Sequence, residues 1–199
     1  MSHIVIYGLV VAGLYLNPYD YDDVVSPIVH KTLLNLRRGI ISSNNEKIIN
    51  KINRKIFPGV QVGPLEYAIA EKTITFYGAM NNDFKAYQKQ IFRNLHIMCD
   101  EFEKSGFKIQ NNSTATDLFD AHSHNTELNG NGDGDIFSKN NIITNRNVVF
   151  NVPLETLENI DTRIESPAIA TRGFKENESR LVVKLFDKIL ENKNKNFKA

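Results

Sequence analysis

Two early stretches, residues 4–12 and 23–29, are β-branched and nearly free of charge, the pattern of strands covered on both faces in an α/β sheet. Polar and turn residues follow each. Ser42, Ser43 and Asn44 ahead of Glu46 offer acceptors for a helix start. Ile48, Ile49, Ile52 and Ile56 then fall on one side until Pro58 and Gly59 stop the pattern. A second helix is predicted over residues 65–80. A third opens at Asn82 or Asp83, where Phe84, Tyr87, Ile91, Leu95, Met98 and Phe102 recur three or four apart, and Gly106 is placed to cap it.

Beyond that helix the pattern predicts strands at 107–109 and near 118–119. Residues 121–141, crowded with Asn, Gly, Asp, Ser and His, read as a loop or insertion. Strands are expected at 148–151 and 162–165, and a last helix at 174–192 with Val182, Leu185, Phe186 and Ile189 as its apolar stripe. The mixture of both periodicities makes the chain α/β, with a boundary near residues 80–82.

Composition narrows the function classes. Of 199 residues, 41% are hydrophobic and 24% charged, as in an ordinary folding domain. Lys plus Arg at 24 against Asp plus Glu at 23 leaves a charge of +1, too small a field to gather nucleic acid or anionic lipid. No nucleic acid or membrane partner is expected. Cys99 is the single cysteine, so no internal disulfide forms, and a reducing compartment suits it. The apolar stretch 4–16 lacks the basic flank of a secretion signal, because no Lys or Arg precedes Lys31. No metal is expected. Residues 129–135 have the Asn, Gly and Asp alternation of a calcium loop, but the twelfth position from Asn129 is Asn140 where the loop needs Glu. His122 and His124 read as ordinary polar residues of that segment.

Three places could carry chemistry. His30 and Lys31 end a strand-like run, where ligands of open α/β sheets bind, and a neutral lysine amine there can condense with an aldehyde. Residues 57–64, rich in Gly and Pro, have backbone N–H groups able to hold a phosphate. Arg163 beside a strand could clamp a carboxylate with two parallel hydrogen bonds. Each also has a plain reading: a solvated lysine, a connecting turn, a surface arginine.

Taken in order the pieces resemble one family. Ser2-His3-Ile4, Gly8 to Gly13, Asp23-Val24-Val25, His30-Lys31-Thr32-Leu33, Phe57-Pro58-Gly59, Gln61, Gly63-Pro64, Phe84 to Gln90, Asn145-Arg146-Asn147, Ser166 to Ile169 and Thr171 to Lys175 are collinear with the C-terminal half of serine hydroxymethyltransferase. The resemblance implies the aspartate aminotransferase-like, fold-type I pyridoxal-phosphate transferase fold. Residues 1–81 would close its large domain, and 82–199, with the Asn-rich insertion 121–141, would form its smaller C-terminal α/β domain. It implies pyridoxal 5'-phosphate as cofactor, serine or glycine as substrate, tetrahydrofolate as co-substrate, and a homodimer or tetramer of the full-length protein in cytoplasm or mitochondrion.

By the same resemblance Lys31 would hold the cofactor covalently, with His30 beside it and His3 near the cofactor's phenolic oxygen. Arg37 would match the arginine that follows the active lysine, and the Gly63 backbone would reach the phosphate of a neighbouring subunit. Arg163 would clamp the substrate carboxylate, and Asn147 would lie toward the folate. The chain also departs from the family. Its start falls just after the family's cofactor-pairing aspartate, a preceding half is missing, and the threonine run before His30 is Ser26-Pro27-Ile28-Val29. Val62 and Glu165 replace glycines. The isolated chain is therefore expected to be inactive, with apolar surface at 4–12 and at Ile40 and Ile41 left uncovered. A degenerate non-catalytic paralogue acting as a partner subunit, and an unrelated small binding domain, are the alternatives.

Overall fold

Residues 2–4, 6–34, 37, 39–109, 116–123, 130–148 and 160–196 are described by a computed structural model. The chain divides into two units, Met1–Lys89 and Gln90–Ala199.

In the first unit, β1 (Ser2–Ile4) pairs in parallel with a later strand, and parallel pairing needs a crossover between the two. The chain supplies it with a helix, α1 (Tyr7–Val11), where the apolar run had suggested continuing strand. A uniformly apolar segment has no period to separate the two states. What decides is closure at Gly13, whose φ of +68° lets its N–H reach the Val10 carbonyl (2.9 Å) while the Leu14 N–H reaches that of Leu9 (2.8 Å). A 3₁₀ turn (Pro18–Asp20) leads to β2 (Val25–Pro27), which lies beside β1 with Ser2 opposite Val25 and His3 opposite Ser26. Isolated bridges join Val25 to Ser42 and Ile28 to Gly39.

Helix α2 (Glu46–Arg54) starts one residue beyond the predicted cap. Asn45 is the N-cap, and its Oδ1 accepts from the N–H groups of Lys47 (3.0 Å) and Ile48 (3.3 Å). No residue of α2 is buried. A wide turn (Lys55–Val60), non-helical at Phe57 and Pro58, ends it. Then come α3 (Glu66–Ala79) and α4 (Asn82–Lys104), both close to their predicted spans, with α4 closed by Gly106 at φ +87°. Helix α4 runs through the division between the units. The first unit's core is small: Ala12, Val29, Leu33 and Phe84, with Tyr7 and Ile40 packed on it. The expected open apolar face is found in part, with Val11 and Ile41 exposed, but most of the exposed apolar surface lies elsewhere. Leu9 and Ala12 are buried, whereas Phe57, Val60, Val62, Ile69, Ile74 and Tyr77 are exposed.

The second unit is built on an antiparallel sheet ordered β3 (Phe107–Ile109), β4 (Leu118–Ser123), β6 (Ile160–Glu165), β5 (Asn145–Val148). The predicted loop at 121–141 is corrected here. Residues 121–123 finish β4, and α5 (Gly130–Lys139) follows, because burial of Phe137 anchors a segment whose composition favours turns. The calcium-like stretch thus runs into a helix; among the described residues no group of three metal-ligating side chains occurs. His124 and residues 149–151 of the predicted strand lie outside the described residues.

A short α6 (Pro167–Thr171) ends at Gly173 (φ +83°) and leads to α7 (Glu176–Asn196). The buried ridge of α7 is Val183, Phe186 and Leu190; Leu185 of the predicted stripe is exposed, and Val182 and Ile189 flank the core. The hydrophobic core is aromatic. Phe102 meets Phe107, Phe119 and Phe186 edge to face at centroid distances of 4.9, 5.7 and 5.2 Å, and Phe137 meets Phe186 at 4.5 Å. Among the described residues no helix is long and apolar enough to cross a membrane.

Candidate functional site

Lys31 follows β2 (Val25–Pro27) after the three-residue segment Ile28 to His30. Val29 before it and Thr32 after it are fully buried, and His30 and Lys31 between them are half-buried. Two hydrogen bonds hold Thr32. Its hydroxyl accepts the Gly8 N–H (2.9 Å), and its carbonyl accepts Nε2 of Gln88, from α4, at 2.6 Å. Gly8 has no alternative here, since a Cβ on it would lie 2.6 Å from the Thr32 carbonyl oxygen. The chain then turns sharply. The Leu34 N–H returns to the Lys31 carbonyl (3.3 Å) with Leu34 at φ +61°, a left-handed conformation costing an L-residue roughly 1–2 kcal/mol.

The backbone carrying Lys31 is thus fixed from α1, from α4 and by its own turn. A chain of hydroxyls supports α1: the Tyr7 and Tyr19 hydroxyls are 3.0 Å apart, and Tyr19 reaches Ser42. Burial first, then the Tyr19 hydroxyl, raises the Tyr7 phenol above its ordinary value, so it remains a neutral hydrogen-bonding group.

One polar atom beside Lys31 is unmet. His30 Nδ1 is buried and has no hydrogen-bond partner among the described residues. Buried polar groups of this kind favour a ligand that brings the missing partner. The other expected cofactor residues are more scattered. His3 sits on β1 opposite Ser26, and its side chain lies outside the described residues. Arg37 is exposed. Gly63 lies in the exposed stretch after the wide turn, and among the described residues a Cβ there would meet nothing within 4 Å, so no contact among them demands a glycine. A cavity of about 560 Å³, lined by Tyr19, Asp22, Asp23 and Glu46 among others, contains none of these residues.

In the second unit, Arg163 occupies the middle of β6. It is in register with Asp120 on β4 and Asn145 on β5, and its Nε donates to Asp120 Oδ1 at 3.4 Å. Both side chains are partly buried, so the pair is worth about 1 kcal/mol or less. Engagement through Nε leaves the two Nη groups as the edge that a second carboxylate can grip. Strand period two puts Glu165 on the same face, adding a competing negative charge. Asn147 lies on β5 opposite Asp161, two residues along from Asn145, so backbone register brings Asn147 and Arg163 to one face; the Asn147 side chain is outside the described residues.

Sequence reasoning quoted Gly8, Thr32 and Gln88 as matching residues but assigned them no role, and it missed Asp120 beside Arg163. A buried glutamine on an apolar ridge was the available signal for the first group.

The comparisons with known proteins converge. The family model described as serine hydroxymethyltransferase matches residues 1–186. The chain is similar to the serine hydroxymethyltransferase of Phytoplasma mali (strain AT), with 42% identity over 190 residues, 94% of this chain and 45% of that protein. It is 39% identical over 186 residues to the serine hydroxymethyltransferase of Aster yellows witches'-broom phytoplasma (strain AYWB), covering 92% of this chain and 43% of the relative. Against that of Buchnera aphidicola subsp. Acyrthosiphon pisum (strain 5A) it is 39% identical over 194 residues, 96% of this chain and 46% of the relative. The chain spans less than half the length of these relatives, as expected of a C-terminal-half fragment.

Proposed function

The chain belongs to the serine hydroxymethyltransferase family, a family of pyridoxal-phosphate transferases of fold-type I. From that premise we propose that it is the C-terminal portion of an enzyme that moves a hydroxymethyl group from serine to tetrahydrofolate, giving glycine and methylene-tetrahydrofolate. Residues 1–81 close the cofactor-binding large domain, and 82–199 form the small domain. The protein works in the cytoplasm or the mitochondrion as a homodimer or tetramer, and the chain by itself is incomplete and inactive in hydroxymethyl transfer, though it still binds cofactor and amino acid.

The observation that carries this reading is Lys31, half-buried on a backbone fixed by Thr32, Gly8 and Gln88. The unmet His30 Nδ1 beside it fits a cofactor that brings hydrogen-bonding atoms. When bound, pyridoxal phosphate supplies an electron sink for charge developing at the substrate's α-carbon. The chain's own residues bind and orient. Lys31 would hold the cofactor through its amine, with His30 and His3 among the residues that would bind it. Arg37 belongs to the cofactor cup, and the Gly63 backbone serves the phosphate of a second subunit. Arg163 grips the amino acid's carboxylate through Nη while Asp120 steadies Nε, and Asn147 faces the folate. A second reading, a non-catalytic paralogue that pairs with a functional subunit, is favoured by Asp120 on the Arg163 guanidinium and by the further carboxylate of Glu165 two residues along the same strand.

Treating the chain with pyridoxal phosphate, reducing with borohydride and mapping peptides tests both. Label at Lys31 well above that at the exposed Lys47 is expected, as is its loss when serine is added before reduction. Equal label at the two lysines overturns cofactor binding. Preferential label that serine leaves unchanged favours the non-catalytic subunit.

A further inference from the structure

Gln88 is fully buried, and it is an expensive residue to bury. Its Nε2 is used, but its Oε1 has no partner among the described residues, and leaving such a group unmet costs about 1–3 kcal/mol. A residue kept only for packing at this point of α4 would be Leu or Met. Its amide orientation is unambiguous, because the Thr32 carbonyl can only accept and the atom 2.6 Å from it must therefore be the donor. The bond spans 56 residues of sequence and lands on the residue next to Lys31. The Gly8 N–H donates to the Thr32 hydroxyl.

We propose that Gln88 is a positioning residue for Lys31: its bond to the Thr32 carbonyl fixes the Thr32–Leu33 peptide plane, and with Thr32 anchored there it holds the backbone from which the Lys31 side chain leaves. The inference rests on the reading of Lys31 as the cofactor-holding lysine. Thr32 is gripped at two points, so its peptide cannot rotate without breaking a buried hydrogen bond, and the strained turn at Leu34 stores the same restraint from the other side. Removing the Gln88 donor frees the Thr32 carbonyl to rotate, and Lys31 then samples directions as any surface lysine does.

The test uses the 199-residue chain and pyridoxal phosphate. The neutral amine adds to the aldehyde carbon with loss of water, and borohydride delivers hydride to that carbon, leaving a secondary amine that marks the lysine. The quantities read are the ratio of label at Lys31 to label at Lys47, and the visible circular dichroism of the bound chromophore, which is optically inactive when free. Gln88→Met keeps the volume and removes the donor; the ratio should fall about tenfold, the value of one hydrogen bond of orientation, and the dichroic band should vanish. Phe186→Leu, a core change in the second unit, lowers the melting temperature and should leave both readouts intact.

Should Gln88→Met fail to fold, Gln88→Glu has the same shape and donates only when protonated, so its ratio should recover as the pH is lowered. A ratio unchanged in Gln88→Met, a pH-independent ratio in Gln88→Glu, or an equal loss in Phe186→Leu overturns the positioning role and leaves the assignment of Lys31 standing. No preference for Lys31 in the unaltered chain overturns both.

Discussion

The two units keep their order by different means. In Gln90–Ala199 a ring of phenylalanines packs between an antiparallel sheet and α4, α5 and α7, and side chains of low exposure fill a single core. In Met1–Lys89 four buried apolar residues make the core cluster, and fixed geometry comes from polar bonds: Gly8 and Gln88 on Thr32, Tyr19 on Tyr7 and Ser42, Asn45 on the start of α2. Among the described residues, all the exposed large apolar side chains except Ile143, Leu181 and Leu185 lie in the first unit. The lesson is that a region carrying reactive groups holds them by directional bonds, which set an angle, whereas dispersion sets only a distance. Its apolar surface, concentrated on the wide turn and α3, is the kind that another chain or another part of the same protein covers.

The sharpest way to break this contrast is Phe102→Ala. Phe102 is fully buried and touches three rings, so its loss should cost about 3–5 kcal/mol in the second unit. Denaturant titration followed by near-ultraviolet dichroism reads it, and a cost below 1 kcal/mol would remove the claim that aromatic packing dominates there. The counterpart in the first unit is Asn45→Ala. With no buried residue on α2, its start depends on the cap, and losing the acceptor should cost about 0.5–2 kcal/mol. Hydrogen exchange at the Lys47 and Ile48 amides should quicken; unchanged exchange would mean that α2 is held some other way.

The smallest effect is a pH dependence confined to the second unit. Burial first, then the charges of Glu103 and Asp100, raise the Cys99 thiol from 9.0 to about 11. The folded state therefore holds this proton more tightly than the unfolded one, and stability should be fullest below pH 9.0 and decline as the pH rises toward about 11. A chromogenic disulfide reagent should react slowly with the folded chain at neutral pH and fast once urea unfolds it. Fast reaction in the absence of urea would show Cys99 to be less enclosed than its neighbours in the core.

Much of the architecture could be read from residue spacing. The ridge Phe84, Ile91, Leu95, Met98 and Phe102 defined α4, Gly106 closed it, and the short strands at Phe107–Ile109 and Ile160–Glu165 lay near where alternation put them. Two elements were hidden for opposite reasons. Helix α1 lay in a run too uniformly apolar to show a period, and α5 in one too rich in Asn and Gly to suggest any element before Phe137 found its place against Phe186. In α7 the stripe was displaced by one position, since which neighbouring row faces inward depends on the rings opposite.

Sequence by itself set the family, the periodic helices and the residues able to do chemistry, Lys31 and Arg163 among them, because residue type and local spacing are written along the chain. Only the tertiary structure decided what holds those residues. Gln88 reaches Thr32 across 56 positions, and Asp120 meets Arg163 through strand register. Such partnerships follow from how separate segments fit in space, and no local pattern encodes them.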